Sequence, residues 1–324
     1  MAMGPSRRSS AFIGGLLAVC LTVSAAAAAA GIALKDDLGR TVELARPAQR
    51  IVTLAPFLTE LAFSAGAGPR VVGASAYSDY PPQARTLPRV ATAAGLSLER
   101  LAALRPDLVL AWEDGVRPEE VERIARLGTA VFVARARTLA DVPRLLAAIG
   151  ALTGEDTRAA AEGYEAKLER LRATYAGRPP VEVFLEIWHR PLTTISGRHF
   201  MNEALAICGA RNVFAGLPGV APEVSWEALY ARDPEAIVGI GSAESASAFR
   251  AEWRSHATLS AVRGGRLAFV DPDRLQRPTL RTPDGIAELC AAVDALRPRA
   301  RQRLRIPRPR RRGARSFREC PRTR

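Results

Sequence analysis

A catalytic reading of this chain would have to use His189, His199 and His256, or the two cysteines inside its body, Cys208 and Cys290. No two of the histidines have the His-Glu-x-x-His spacing that sets a pair of metal ligands on one helical face, so nothing in their local pattern selects zinc. Three scattered histidines can still converge in a fold; each reads more simply as a surface or capping residue. Gly66-Ala67-Gly68 lacks the third glycine of a dinucleotide loop and follows a helical stretch where such a loop follows a strand. Gly73-Ala74-Ser75-Ala76-Tyr77 opens like a nucleophile elbow but lacks the closing glycine. Cys208 and Cys290 form one candidate disulfide; the alternative is two buried free thiols behaving as small hydrophobes. These patterns give no support to catalysis and leave binding as the reading to test.

The elements that would position a binding site follow an alternating pattern. Ile51–Leu54, Val71–Ala74, Leu108–Trp112 and Ala130–Val133 are short apolar runs that predict buried strands. Between them, Phe57–Ala65, Leu98–Leu104 and Glu119–Leu127 carry apolar residues at helical spacing. Strand and helix in alternation imply a parallel sheet covered on both faces. Glu155–Tyr175 contains no proline and is rich in Ala, Glu, Lys, Leu and Arg, which predicts one helix about 30 Å long. A second alternating unit follows, with strands at Val181–Ile187, Ala236–Ile240 and Leu267–Val270 and helices near Met201–Ile207, Trp226–Tyr230 and Thr282–Leu296. The two units repeat an architecture and not a sequence. The expected fold is therefore α/β: two Rossmann-like lobes with mainly parallel sheets, joined by a single long spine helix, with a ligand cleft at the carboxyl ends of the strands.

At 324 residues and 48% hydrophobic content the chain can bury two cores of ordinary size. Arg7 and Arg8 precede an uncharged apolar run from Ala11 to Val23 and a small-residue stretch from Ser24 to Ala30, the layout of a cleaved secretory signal. Its apolar part falls short of the roughly 20 residues a spanning helix needs. Lipid anchoring at Cys20 fits less well, because Val19 is too large for the position before a lipidated cysteine. The formal charge of +13 suggests nucleic acid until it is located. Residues 297–324 hold 13 arginines against the single acid Glu319; removing these and Arg7 and Arg8 leaves 31 basic and 32 acidic residues over 31–296. The body is near neutral and offers no electrostatic case for nucleic acid. The expected division is a signal peptide at 1–30, an N-terminal lobe at 31–150, the spine helix at 151–178, a C-terminal lobe at 179–296, and an arginine-rich disordered tail at 297–324.

The runs Ala55-Pro56-Phe57-Leu58-Thr59-Glu60-Leu61-Ala62-Phe63 and Tyr77-Ser78-Asp79-Tyr80-Pro81-Pro82 carry a resemblance, together with Leu104-Arg105-Pro106-Asp107-Leu108-Val109-Leu110-Ala111-Trp112. It continues at Ser196-Gly197, Ile207-Cys208-Gly209 and Val224-Ser225 with Glu227, so that it covers nearly all of 48–296. In these segments the chain resembles the cobalamin-binding periplasmic proteins of ABC importers, within a family that also includes haem and siderophore binders. The resemblance implies a non-enzymatic, periplasmic carrier with no catalytic cofactor, whose transported ligand is cobalamin or a related corrinoid. It also implies ABC permease subunits of the inner membrane as partners; the carrier itself is expected to be a monomer. By position it assigns Tyr77 and Trp112 in the first lobe and Asp273 and Arg277 in the second to the ligand, Glu99 and Glu227 to permease docking, and Cys208 and Cys290 to a disulfide. Aromatic faces would cover the broad apolar corrin ring while charged and amide groups bond its rim.

The chain departs from that pattern at Ala93, Thr194 and Ala221, where relatives carry further pocket aromatics, and at Gln276, which replaces a glutamate near the second-lobe arginine. These departures predict a wider or differently shaped pocket, which Trp188 would help to fill. The alternatives are a haem or ferric-siderophore carrier of the same fold, using Tyr77 or a histidine as iron ligand, and a metallohydrolase using His189, His199 or His256.

Overall fold

A computed structural model describes Met1 and residues 31–241 and 245–297. The expected leader, with Cys20, and the tail beyond Arg297 lie outside the described residues. Among the described residues, no helix is long and apolar enough to cross a membrane.

The chain enters through an antiparallel hairpin, β1 (Ile32–Lys35) and β2 (Thr41–Leu44). The first unit then runs β3 (Ile51–Thr53), α1 (Pro56–Ser64), β4 (Val71–Ser75), β5 (Arg89–Thr92), β6 (Gly95–Leu96), α2 (Leu98–Ala103), β7 (Leu108–Trp112), α3 (Pro118–Ala125), β8 (Ala130–Ala134) and α4 (Asp141–Thr153). Its sheet has the order β6-β5-β4-β3-β7-β8, parallel except for the short β5–β6 pair. The apolar runs become strands because both faces are covered: Ile51, Val52, Leu108, Val109 and Leu110 are all fully buried. Pro56 and Pro118 start α1 and α3, where a missing N–H costs nothing. Gly154, at φ +74°, closes α4 in the left-handed conformation that favours glycine.

Next comes α5 (Arg158–Tyr175), three residues shorter at its start than the sequence predicts. Asp156 explains the difference: its side chain accepts the Arg158 backbone N–H at 3.0 Å, satisfying one donor outside the helix proper. Only Tyr164 and Leu168 of α5 are buried, and the helix touches both units. The Tyr164 hydroxyl donates to the Leu139 carbonyl at 3.0 Å, and Lys167 lies 3.1 Å from Asp284. The unit boundary expected at 150 falls inside α4, which packs along α5.

The second unit contains β9 (Val181–Glu186), α6 (Phe200–Ile207), β10 (Ala210–Asn212), α7 (Trp226–Arg232), β11 (Ala236–Ile240), α8 (Ala246–Trp253), α9 (Ser260–Arg263), β12 (Leu267–Val270), α10 (Pro272–Leu275) and α11 (Thr282–Leu296). Its four strands are all parallel, in the order β10-β9-β11-β12. Cys208, at the end of α6, is disulfide-bonded to Cys290 in α11, 82 residues away, and both are fully buried. Arg297, the first residue of the expected tail, belongs to the body: its guanidinium reaches Asp294 at 2.6 Å and the Cys208 carbonyl at 2.6 Å.

Candidate functional site

The first wall is the loop that leaves β4. Its base is a buried chain of hydroxyls: Thr53 and Thr59 lie 2.6 Å apart, Thr59 donates to Ser78 at 2.9 Å, and Ser78 lies 3.2 Å from Ser75. Arg89 adds a donor to the Ser78 carbonyl at 3.0 Å. Held from below in this way, Tyr77 takes a left-handed φ of +62°, costly for a residue with a Cβ, and its ring is 78% exposed. Two strands along, Trp112 ends β7. Phe57 meets it edge-on at 6.1 Å, which fixes one side of the indole and leaves the ring half-buried.

The second wall leaves β12. Asp271 caps α10 by accepting the Asp273 N–H at 2.8 Å, and Arg277 follows one turn later, with its guanidinium 3.2 Å from the Asp273 carboxylate. Gln276 is exposed beside it. Trp188, in the loop after β9, is 66% exposed and donates its indole N–H to the Arg190 carbonyl at 2.9 Å. Of the departures noted in the sequence, Ala93 and Ala221 are exposed, whereas Thr194 is fully buried and donates to the Leu185 carbonyl at 2.6 Å. Thr194 therefore supports β9 and does not widen a cleft.

Contacts missed in the sequence join the two walls. Arg277 donates to Asp79 at 2.7 Å, linking the loop after β12 to the loop after β4. Arg281, at the start of α11, grips Glu60 of α1 with two bonds of 2.7 and 2.6 Å and stands 3.7 Å over the Tyr80 ring. Glu60 is 2% exposed. A carboxylate inside the apolar run of α1 was the available signal for such a partner, since buried acids are almost always paired. Burial raises the Asp79 carboxyl, but the hydrogen bond and charge of Arg277 outweigh it and hold the group below its ordinary value.

Glu99 and Glu227 both lie exposed in the first turn of short helices. Ser97 caps α2 by accepting the Arg100 N–H at 3.3 Å, and Ser225 caps α7 by accepting the Ala228 N–H at 3.2 Å. Leu101 and Leu229, two residues beyond the glutamates, are fully buried. Ser-x-Glu-x-Leu thus occurs once in each unit with the same local structure, a short repeat within what reads as a non-repeating sequence.

The three histidines do not meet at one point: His189 and His256 share the faces of Trp226 and Trp253, while His199 stands at the start of α6. His199 caps α6 by accepting the Met201 N–H at 3.1 Å; burial, helped by the charge of Arg137, pushes it down to about 4. His256 stacks on Trp226 at 4.0 Å and meets the Tyr230 hydroxyl at 2.7 Å, and burial lowers its affinity for a proton. His189 sits between Glu186 and Glu252, at 2.8 and 3.0 Å. No group of three His, Cys, Asp or Glu able to hold a metal occurs among the described residues.

Two mainly parallel sheets whose outgoing loops meet, with aromatic and charged side chains on both walls, define a two-walled α/β binding protein. The chain belongs to the periplasmic binding protein family, whose model matches residues 51–274. It is 35% identical over 247 residues to the vitamin B12-binding protein of Vibrio cholerae, covering 75% of this chain and 88% of that one. To the vitamin B12-binding protein of Vibrio campbellii it is 33% identical over 254 residues, covering 78% and 91%. Among solved structures, the periplasmic vitamin B12 binding protein BtuF of Vibrio cholerae superposes with a TM-score of 0.70 at 32% identity, covering 77% of this chain and 98% of that one. A periplasmic heme binding protein from Pseudomonas aeruginosa superposes with a TM-score of 0.67 at 29% identity, covering 76% and 92%.

Proposed function

We propose that this protein captures cobalamin or a related corrinoid between its two lobes and delivers it to the permease of an ABC importer. In this reading it works in the periplasm as a monomer, after loss of a leader at 1–30, and performs no catalysis. Tyr77 and Trp112 cover the face of the ring; Asp273, Arg277 and Gln276 bond the amides of its rim; Trp188 fills the space left by missing aromatics. The observation that carries this reading is the strained, exposed Tyr77 across the site from Arg277, in a chain with vitamin B12-binding relatives at 35–37% identity. A left-handed aromatic held open by a buried hydroxyl chain is strain that a ligand contact accounts for.

The second reading is haem, favoured by the 29% identity to a heme binding protein and by the phenol of Tyr77 as an iron ligand. Calorimetry of the purified protein with hydroxocobalamin, cyanocobalamin, cobinamide and haemin, each taken separately, distinguishes the two. A corrinoid is expected to bind with a dissociation constant of about 1 μM or tighter. Nanomolar haemin binding with no corrinoid binding would overturn the proposal.

A further inference from the structure

Away from the cleft, a groove runs along α5 and starts beside the last described residue, Arg297. Arg297 is fixed to the body: besides Asp294 and the Cys208 carbonyl, its guanidinium reaches the Pro179 carbonyl. The mouth of the groove, about 480 Å³, lies between Tyr175 and Gly177 at the end of α5 and Ala206, Ile207 and Gly209 at the end of α6. A second hollow of about 530 Å³ follows, between Glu162, Glu165 and Glu169 of α5 and Leu139, Ala140 and Pro143 where α4 begins. Arg172 lines both hollows, and Glu203 joins them, since it lines the mouth and accepts the Leu139 N–H at 3.0 Å. The charge in the groove is unbalanced. Arg172 lies 3.4 Å from Glu169, Arg178 at the mouth lies 3.5 Å from Asp294, and Lys167 is turned to Asp284. Glu162 and Glu165 are exposed and have no ion-pair partner among the described residues.

The sequence after Arg297 reads Pro298-Arg299-Ala300-Arg301-Gln302-Arg303-Leu304-Arg305-Ile306. Arginine falls at every second position, so an extended chain would put all four on one side, about 7 Å apart, with Leu304 and Ile306 on the other. Glu162, Glu165 and Glu169 share one face of α5 at intervals of about 5–6 Å. From Tyr175 back to Glu162 the helix rises about 20 Å, which about six extended residues cover. We propose that residues 298–306 dock in this groove as an extended strap. Arg299 meets Glu203 at the mouth, Arg301, Arg303 and Arg305 meet Glu169, Glu165 and Glu162 in turn, and Leu304 and Ile306 face Leu139 and Pro143. Arginines so closely spaced repel one another, and acids at matching intervals relieve that repulsion. Leu139 and Pro143 follow the first sheet, whereas Glu203, Ala206 and Ile207 belong to the second unit. A seated strap therefore ties the two units together along α5.

The test is limited trypsin digestion of the full chain, with the cleavage sites read by intact-mass spectrometry. The bonds after Arg301, Arg303 and Arg305 are expected to be cut at least about tenfold more slowly than the bond after Arg315, which lies beyond the reach of the groove. Glu162→Gln, Glu165→Gln and Glu169→Gln made together change exposed positions, add no cleavage site and are expected to remove that protection. Sodium chloride at about 1 M, which screens charge within about 3 Å, is expected to do the same in the wild type. Glu119→Gln with Glu122→Gln, on the exposed side of α3, should leave the protection in place. Equal cutting of the wild type and the triple variant would overturn the proposal. Protection that appears only with phosphatidylglycerol vesicles, and equally in both proteins, would also overturn it and assign the arginines to a lipid surface. None of these outcomes bears on corrinoid capture.

Discussion

The guanidinium of Arg277 lies 2.7 Å from the carboxylate of Asp79, so the residue expected to grip a ligand from the second unit is bonded to the first unit across the cleft. A ligand that takes hydrogen bonds from Arg277 must compete with Asp79. Asp79→Ala should therefore speed corrinoid association severalfold in stopped-flow fluorescence, at a stability cost below about 1 kcal/mol, since half-exposed ion pairs contribute little. Unchanged association would show that Arg277 reaches the ligand without leaving Asp79.

Glu60 and Arg281 call for a different expectation. Glu60 is 2% exposed and takes two bonds from Arg281, whose side chain is 20% exposed. Removing Arg281 leaves a buried carboxylate with nothing to balance it, and losses of this kind cost about 3–5 kcal/mol. Arg281→Ala should lower the unfolding free energy measured in urea titrations by about that much. A double change, Glu60→Leu with Arg281→Met, should recover most of it, because two apolar groups leave no charge stranded. Equal losses in the single and double variants would assign the cost to lost packing.

His199 gives a pH dependence whose sign follows from its cap. Its nitrogen must be free of a proton to accept the Met201 N–H, and burial pushes the ring down to about 4 from an ordinary 6.5. The folded state thus resists protonation that the unfolded state accepts. The stabilisation is complete above pH 6.5, fades as the pH falls toward 4 and is gone below it, a change of up to about 3 kcal/mol. His199→Asn keeps an acceptor at the cap and should flatten that part of the stability profile in denaturant titrations at stepped pH.

The same residues show what was legible before the fold was known. β7 and β11 occupy the spans their apolar runs predict, because full burial on both faces leaves a continuous hydrophobic signature. The helix α4 was passed over although Val142, Leu145, Leu146 and Ile149 follow helical spacing; Pro143 masks its start, where proline is in fact tolerated. Trp112 was legible as the end of a strand. The Asp79–Arg277 and Glu60–Arg281 pairs were not, because their partners are 198 and 221 residues apart and no local pattern encodes a contact of that range. The environment of His189 was hidden in the same way: Glu252 is brought to it by α8, an element that sequence periodicity did not mark.

Glu99 and Glu227 carry the last prediction. Each sits two residues after a serine cap and two before a fully buried leucine, so each helix start is pinned at both ends and presents its carboxylate in a fixed place. For Glu227, its own backbone N–H and the Ser225 hydroxyl stabilise the charged form and lower the carboxyl below its ordinary value. If these two charges dock the loaded protein on a permease, reversing either one should remove transport without touching capture. Glu99→Arg and Glu227→Arg are each expected to abolish uptake of labelled cobalamin in cells that depend on this protein. Corrinoid affinity measured on the purified variants should stay within about twofold, the span of an ordinary surface substitution. Unimpaired uptake in the double reversal would remove both residues from the permease interface, and a matching fall in corrinoid affinity would place them in the capture site.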